Sequence, residues 1–178
     1  HKIHTPQNIQ SCSDKLKSIY ITYWDILVKN TFNHKKDYHW IYYPEEQYPF
    51  HRIGSYSSAD SDAVPSKEYR SYYVETSHLR KDSMKSSQSK MLQALNELGI
   101  ILKNDEVIEI RQSTIDQAYV IFDHHYAENR KIILQYLQEH QIHSIGRYGG
   151  WQYNAMENGI LDGKRTAELI NKKDKEIY

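Results

Sequence analysis

The first half of the chain alternates short apolar and aromatic runs with polar stretches. Residues 16–28 are dense in β-branched and aromatic side chains, which pack well on the pleated surface of a sheet. Three similar runs follow at 39–43, 48–56 and 69–77, separated by short polar segments. Strands joined by short links usually pair antiparallel. The pattern therefore predicts an antiparallel sheet.

A helical period appears after residue 87. Apolar residues recur on one helical face, a serine can cap the start, and Gly99 stands just past the end. The apolar set is Met91, Leu92, Leu95 and Leu98.

Two more helices are predicted in the last third of the chain, over residues 128–140 and from 156 to 170. The second should bury a face in which small and apolar residues recur at three- and four-residue steps. Those residues are Met156, Ile160, Gly163, Ala167 and Ile170. Extended segments are predicted at 108–113, 118–122 and 142–145. The fold class is thus α+β, a mostly antiparallel sheet with two or three packed helices.

The amino-acid composition of the chain excludes several functional classes. The 178 residues carry 23 Lys and Arg against 23 Asp and Glu, so no net charge marks the protein as a nucleic-acid or membrane binder. No apolar run is long enough to cross a bilayer. Cys12 is the single cysteine, which excludes an internal disulfide and favours a cytoplasmic setting. The chain begins at His1 rather than Met, so we expect a processed product or a piece of a longer protein.

The sequence lacks the motifs of several common kinds of functional site. The ten histidines include no His-Glu-x-x-His and no accompanying carboxylate triad, so no metal site is predicted. No Gly-x-Ser-x-Gly elbow provides an activated serine. The seven glycines form neither Gly-x-Gly-x-x-Gly nor a Walker loop, so the chain cannot build its own dinucleotide-binding fold. No catalytic residue is assigned.

Residues 145–157 have the composition of a ligand site, with the sequence Ile-Gly-Arg-Tyr-Gly-Gly-Trp-Gln-Tyr-Asn-Ala-Met-Glu. The glycines let a ligand approach the backbone, and Arg147 offers a planar fork for a carboxylate or phosphate. Amide groups at the start of the following helix favour negative charge. A tight structural turn with a surface arginine is the alternative that this segment alone leaves open.

Arg52 is a second candidate, because it is a cation in the middle of an apolar and aromatic strand. It is either paired with a carboxylate, for which Glu75 on a neighbouring strand is suited, or directed at an anionic ligand. Spacing alone does not separate these two roles.

Two segments together resemble a known superfamily. Residues 145–157 resemble the C-terminal flavin-contacting motif of FAD-dependent enzymes of the amine oxidase, protoporphyrinogen oxidase-like and UDP-galactopyranose mutase superfamily. Tyr-Pro-Phe-His-Arg-Ile at 48–53 resembles a Pro-aromatic-x-Arg-Ile strand of the mutase branch. The layout from 38 to 170 is similar to a substrate domain followed by the C-terminal helix. The chain departs from the mutase motif at Glu157, where that motif has aspartate.

The resemblance implies a cofactor and a set of site residues. FAD would bind in the full-length protein, with the backbone of 153–156 at the pyrimidine edge of the flavin. Arg147 and Tyr153 would lie near the flavin and a substrate diphosphate, Arg52 would be a second diphosphate-binding arginine, and Tyr119 a substrate tyrosine. The cofactor-binding residues implied are Gly146, Arg147, Trp151, Gln152, Tyr153 and Met156, and the substrate-binding residues are Arg52, Tyr119, Arg147 and Tyr153.

Two functional interpretations follow. In the first, the chain is the C-terminal, substrate and flavin-edge portion of a FAD-dependent oxidoreductase or nucleotide-sugar mutase-like flavoenzyme within a larger FAD/NAD(P)-binding-like fold. It would be inactive alone, and its partners would be the missing N-terminal FAD-binding domain, a nucleotide sugar or amine substrate, and a second copy in a homo-oligomer. In the second, it is a non-enzymatic α+β binding or interaction domain with a Tyr-rich surface, since the chain has 16 tyrosines.

The first interpretation divides the chain into three parts. Residues 1–15 would be a disordered or linker start. Residues 16–141 would form the substrate-domain sheet and helices. Residues 142–178 would supply the flavin-edge strand, the glycine turn and the C-terminal helix.

Overall fold

The computed structural model describes residues 5–29, 38–79 and 87–176, without the side chains of 173–176. The strands are β1 (Ser18–Lys29), β2 (Trp40–Tyr42), β3 (Arg52–Ser55), β4 (Tyr69–His78) and β5 (Glu106–Val120). The helices are α1 (Gln7–Lys15), α2 (Tyr56–Ala59), α3 (Gln88–Glu97), α4 (Tyr126–Glu139), α5 (Gly146–Gly149) and α6 (Met156–Glu176), with a 3-10 turn at Ser61–Ala63.

The chain forms two compact units. The sheet unit is Ile19–Ala118, and the helical unit combines His1–Ser18 with Tyr119–Tyr178. The predicted α+β class with an antiparallel sheet is confirmed. No helix in the described parts of the chain is long and apolar enough to cross a membrane.

The sheet unit has its core on one face of the sheet. Strand order is β2-β3-β4-β1-β5, and Ile53, Val74 and Trp24 are opposite one another across three neighbouring strands. All three are fully buried, and Met91 and Leu95 of α3 belong to the same buried cluster. Burial of such apolar side chains contributes about 1.5–3 kcal/mol each. The predicted packing of α3 on the sheet is therefore confirmed.

The ends of α3 also follow the sequence prediction. Ser87 caps the helix, because its hydroxyl accepts a hydrogen bond from the amide of Lys90 at 3.4 Å. Gly99 follows with φ +67°, a left-handed conformation that side chains disfavour.

Two strand predictions need new boundaries. Strand β3 begins at Arg52 rather than at 48, because the preceding residues form a turn closed by the amide of Tyr48 on the carbonyl of Glu45. Strand β5 runs unbroken through the predicted segments 108–113 and 118–122 as far as Val120. The polar residues between them suggested a break, but most of β5 is exposed and does not require apolar side chains. Gln117, with φ +77°, accommodates a local distortion within the strand.

The helical unit departs further from the sequence prediction. The first 15 residues, expected to be disordered or a linker, contain α1, which packs against α4 and buries Ile9. The short strand predicted at 142–145 is wrong: this segment is irregular and leads into α5. A tetrapeptide such as Ile-His-Ser-Ile cannot form a strand without a partner whose backbone accepts its hydrogen bonds.

The predicted buried face of α6 is also wrong. Met156 and Ile160 are 89% and 73% exposed, and Ile170 is 42% exposed. Their spacing is that of a packed helix, but no described element of the helical unit covers them. A stripe of this kind marks a surface made for contact.

We predict that Gly54→Ala destabilises the protein through Tyr73. A Cβ on Gly54 would overlap the ring of Tyr73, which covers this glycine from the neighbouring strand. Displacing the ring should cost about 1–3 kcal/mol of unfolding free energy in a urea titration. In a Tyr73→Ala background the same change should be neutral or stabilising, because alanine is favoured over glycine inside a strand. Equal costs in both backgrounds would contradict the close approach.

Candidate functional site

Helix α5 and the turn that links it to α6 have a backbone that requires glycine. Gly146 has φ +76°, and a Cβ on Gly150 would lie 2.7 Å from the carbonyl oxygen of Gly146. The amide of Gly150 donates to that same carbonyl at 2.8 Å. Trp151 adopts φ +44°, which is strained for a bulky residue. Surrounding contacts must therefore hold the chain in this path.

Helix α4 supplies those contacts. The Tyr126 hydroxyl donates to the carbonyl of Trp151 at 2.8 Å, and Nε of Arg130 donates to the carbonyl of Gly150 at 2.6 Å. Arg130 also donates to the amide oxygen of Gln152 at 3.2 Å. Tyr126 and Arg130, which we call the α4 clamp, fix the turn on both sides of the strained residue. The sequence prediction missed both; the available signal was their four-residue spacing, which puts them on one helical face.

Three residues implied by the resemblance meet beside this turn. The guanidinium carbon of Arg147 lies 4.7 Å from the ring centre of Tyr119 and 5.1 Å from that of Tyr153. The two rings are 5.7 Å apart at an interplanar angle of 29°. Such cation–π contacts orient a guanidinium and stabilise it by about 0.5–2 kcal/mol. Because Tyr153 is 64% exposed, this cluster of Tyr119, Arg147 and Tyr153, the cation cluster below, is accessible to a ligand. Their roles in binding stay predictions.

The remaining cofactor residues implied by the resemblance occupy the turn and the start of α6. Gln152 holds the turn, since it accepts from Arg130 and donates to Asp162 at 3.4 Å. The indole nitrogen of Trp151 and the amide nitrogen of Asn154 are buried and have no hydrogen-bond partner within the described residues. These two donors could satisfy an acceptor on a bound ligand.

The start of α6 presents backbone amides. Asn158 accepts a hydrogen bond from the amide of Ala155 at 3.0 Å, half of a capping box. The first intrahelical donor is Gly159, which reaches the carbonyl of Ala155 at 3.3 Å. The amides of the first helical turn, beginning at Met156, have no acceptor within the helix. They create a partial positive charge beside the cation cluster.

Arg52, in the sheet unit, is paired with Glu75. The two are opposite each other on β3 and β4, and the guanidinium donates to both carboxylate oxygens at 2.6–3.0 Å. The rings of Tyr42 and Tyr73 lie 5.7 and 5.9 Å from the guanidinium carbon. The sequence left pairing and ligand binding open; the structure supplies the pairing. A ligand contact at Arg52 stays a prediction, with Glu75 as its competitor.

No group of three or more His, Cys, Asp or Glu side chains that could hold a metal occurs within the described ranges.

Comparisons with known proteins give structural matches without a sequence match. No family model and no curated protein matches the chain. The structure of reduced UDP-galactopyranose mutase matches with TM-score 0.69 and 24% identity over 80% of this chain and 31% of that one. A candidate protoporphyrinogen oxidase from Exiguobacterium sp. 255-15 matches with TM-score 0.54 and 10% identity, covering 75% of this chain and 32% of that one. This chain thus spans about a third of either protein, and the likeness is one of fold.

We predict that the α4 clamp can be weakened in two steps. Tyr126→Phe should lower the unfolding free energy by about 0.5–1.5 kcal/mol through one lost hydrogen bond. Arg130→Ala should cost about 1.5–3 kcal/mol because it removes charge-assisted bonds. Near-ultraviolet circular dichroism should also change, since the Tyr119–Tyr153 stack depends on the turn. A control change of exposed Arg165 to Ala should leave both measurements within error; an unchanged spectrum for Arg130→Ala would contradict the clamp.

We predict a pH dependence of stability from His51. Burial, with a smaller effect of Arg52, lowers the pKa of His51 below 6.5, although Glu75 opposes the shift. The folded state therefore resists protonation, and the stability from neutral His51 is present above about pH 6.5 and lost as the pH falls. His51→Gln should flatten the fall in unfolding free energy between about pH 7 and pH 5. His124→Gln, at an exposed position, should not; equal slopes for wild type and His51→Gln would refute the prediction.

Proposed function

We propose that this chain is the substrate-binding and flavin-edge portion of a FAD-dependent flavoenzyme whose substrate is anionic, as a nucleotide sugar is. The observation that carries the proposal is the cation cluster. Tyr119, Arg147 and Tyr153 are 28 and 6 residues apart along the chain, yet they meet in one contact group beside a helix N-terminus. These are the residues that the resemblance assigns to flavin and substrate.

The chemistry of the cluster favours an anionic substrate over an amine. An amine would be bound by aromatic faces without a fixed cation, because a guanidinium repels an ammonium group. Here the guanidinium of Arg147 lies beside both rings, 4.7 and 5.1 Å from centres that are 5.7 Å apart. The guanidinium of Arg147 donates to the carbonyl of Asn154 at 3.5 Å, and its planar fork of five N–H donors suits the paired oxygens of a diphosphate. The oxidase version of the function is therefore the less favoured one.

The residues at the start of α6 fit the pyrimidine edge of a flavin. That edge carries carbonyl acceptors and gains negative charge on reduction, and the first-turn amides at Met156 offer donors and a partial positive charge. When bound, the flavin would supply the electron-accepting ring or, in the mutase-like version, the N5 nucleophile that attacks the sugar.

In this proposal each residue of the cation cluster and of the α4 clamp has a physical role. Arg147 neutralises the diphosphate, the rings of Tyr119 and Tyr153 orient the guanidinium, and the α4 clamp keeps the turn in place. No glycine fingerprint for a dinucleotide occurs in the sequence, so the adenosine and pyrophosphate contacts belong to a part of the enzyme outside these 178 residues. The exposed stripe with Met156 and Ile160 on α6 would pack against that part.

Titration of the chain with UDP-galactose and, separately, with reduced and oxidised FAD tests this function. We predict saturable binding at millimolar ligand, with reduced FAD tighter than oxidised because the helix amides favour the anion. Arg147→Ala should weaken UDP-galactose binding about tenfold or more through the loss of a charge-assisted pair. Its unfolding free energy should change by only about 1 kcal/mol, from the lost cation–π contacts.

Arg165→Ala is the matched control, an exposed arginine on α6 whose loss should not change binding. An Arg147→Ala variant that fails to fold would refute the assignment of this residue to ligand binding. Failure of the wild-type chain to bind either ligand would favour the non-enzymatic interaction domain.

A further inference from the structure

We propose that the outer edge of β5 is a self-association surface, on which a second copy of this chain pairs antiparallel. The observation is independent of the proposed flavin site. Strand β5 has 15 residues and lies at one end of the sheet order, so no described strand pairs with its outer edge. An edge of that length presents a row of backbone donors and acceptors to any strand that can reach it.

The side chains of β5 are as uncovered as its edge. From Glu106 to Gln117 every side chain except that of Ile110 is exposed, on both faces of the strand. Ile108 and Ile115 are 45% and 40% exposed. Proteins usually protect a free edge by making it short, by adding proline or by placing like charges along it. Strand β5 has no proline, and its central charges, Glu109 and Arg111, are opposite in sign.

The charge order along β5 selects the second copy as the partner and also selects one register. In an antiparallel pair related by a two-fold axis perpendicular to the sheet, one residue lies opposite its own copy, and the axis passes midway between the two. When that residue is Ile110, Glu109 of each copy faces Arg111 of the other. When it is Glu109 or Arg111, that charge faces its own copy. When it is Gln112 or Ser113, both charges face neutral residues. Among registers that pair residues within β5, only the one centred on Ile110 joins opposite charges.

The same register also pairs the apolar residues. Ile110 faces Ile110 of the second copy, and Ile108 of each copy lies on the diagonal of this pair. Ile110 already packs against the core cluster of the sheet unit, so the added strand would extend that cluster. The Glu109 and Arg111 side chains lie on the opposite face, where Nε of Arg111 donates to Oε1 of Glu109 at 2.7 Å within one strand. Dimerisation would expand this pair into a four-charge ring.

The contact is small. Pairing from Glu106 to Thr114 extends over roughly 30 Å of strand, which is at the low end of interfaces that persist in solution. We therefore expect a concentration-dependent dimer in the micromolar range. Dimer content follows directly from sedimentation velocity or light scattering on a dilution series of the chain.

Charge reversal tests the register. Glu109→Arg leaves two arginines at 109 and 111, and Arg111→Glu leaves two glutamates, so each variant faces like charges at both pairs and should dimerise roughly tenfold more weakly. Mixing the two variants should restore the dimer as a heterodimer, since every facing pair is again opposite in sign. The double variant E109R/R111E should also regain it.

Glu168→Arg and Arg165→Glu on α6 are charge-matched controls and should not change the dissociation constant. Circular dichroism and thermal unfolding of each variant would establish that it is folded. A wild-type chain that stays monomeric at about 100 μM would overturn the proposal, because a dissociation constant in the micromolar range requires a dimer at that concentration. The proposal would also be overturned if neither single variant weakened the dimer, or if the two single variants did not form a heterodimer when mixed.

Discussion

Hydrogen bonds from α4 to two consecutive carbonyls control the arrangement of the helical unit's candidate site. The backbone at Gly146 and Trp151 is in conformations that few residues adopt, and such a path persists only when neighbours fix it. Tyr126 and Arg130 provide that fixation through the carbonyls of Trp151 and Gly150. Without it, the residue after the turn, Tyr153, would not remain stacked with Tyr119 around Arg147.

Both candidate arginines lie within 6 Å of two tyrosine ring centres, but their hydrogen-bond partners differ. Arg52 pairs with Glu75 in a bidentate contact, which orders the strands β3 and β4 and occupies the guanidinium. A ligand anion there would have to displace a carboxylate already in good geometry. Arg147 lies beside two rings, one of them largely exposed, donates to the carbonyl of Asn154, and is next to the positively polarised start of α6. The helical unit is therefore the stronger position for an anion, although sequence spacing treated the two arginines alike.

Two exposed surfaces suggest how the protein meets its partners. The stripe on α6 has the period of a buried helix face and is uncovered, as expected of a helix that packs against a further part of a larger fold. The edge of β5 differs, since its mixed charges and a backbone edge that no described strand pairs with match another strand rather than an apolar face. In the proposed flavoenzyme the α6 stripe would contact a further part of the enzyme, whereas the β5 edge would contact a second copy of this chain.

The sequence alone determined the features that depend on neighbouring residues in the chain. Alternation and β-branched content predicted the antiparallel sheet, and Ser87 and Gly99 marked the ends of α3, because capping and strand preference are local. The glycines and Arg147 marked the turn as a ligand-site candidate for the same reason.

Tertiary structure decided what depends on residues far apart in sequence. It paired Arg52 with Glu75, brought Tyr119 to Arg147, and recruited Tyr126 and Arg130 to the turn, all through distances that spacing does not encode. It also left the periodic face of α6 exposed, because periodicity reports that a face is apolar and cannot report which surface covers it. The segment at 142–145 failed as a strand for a related reason: a strand exists only where another backbone accepts its hydrogen bonds.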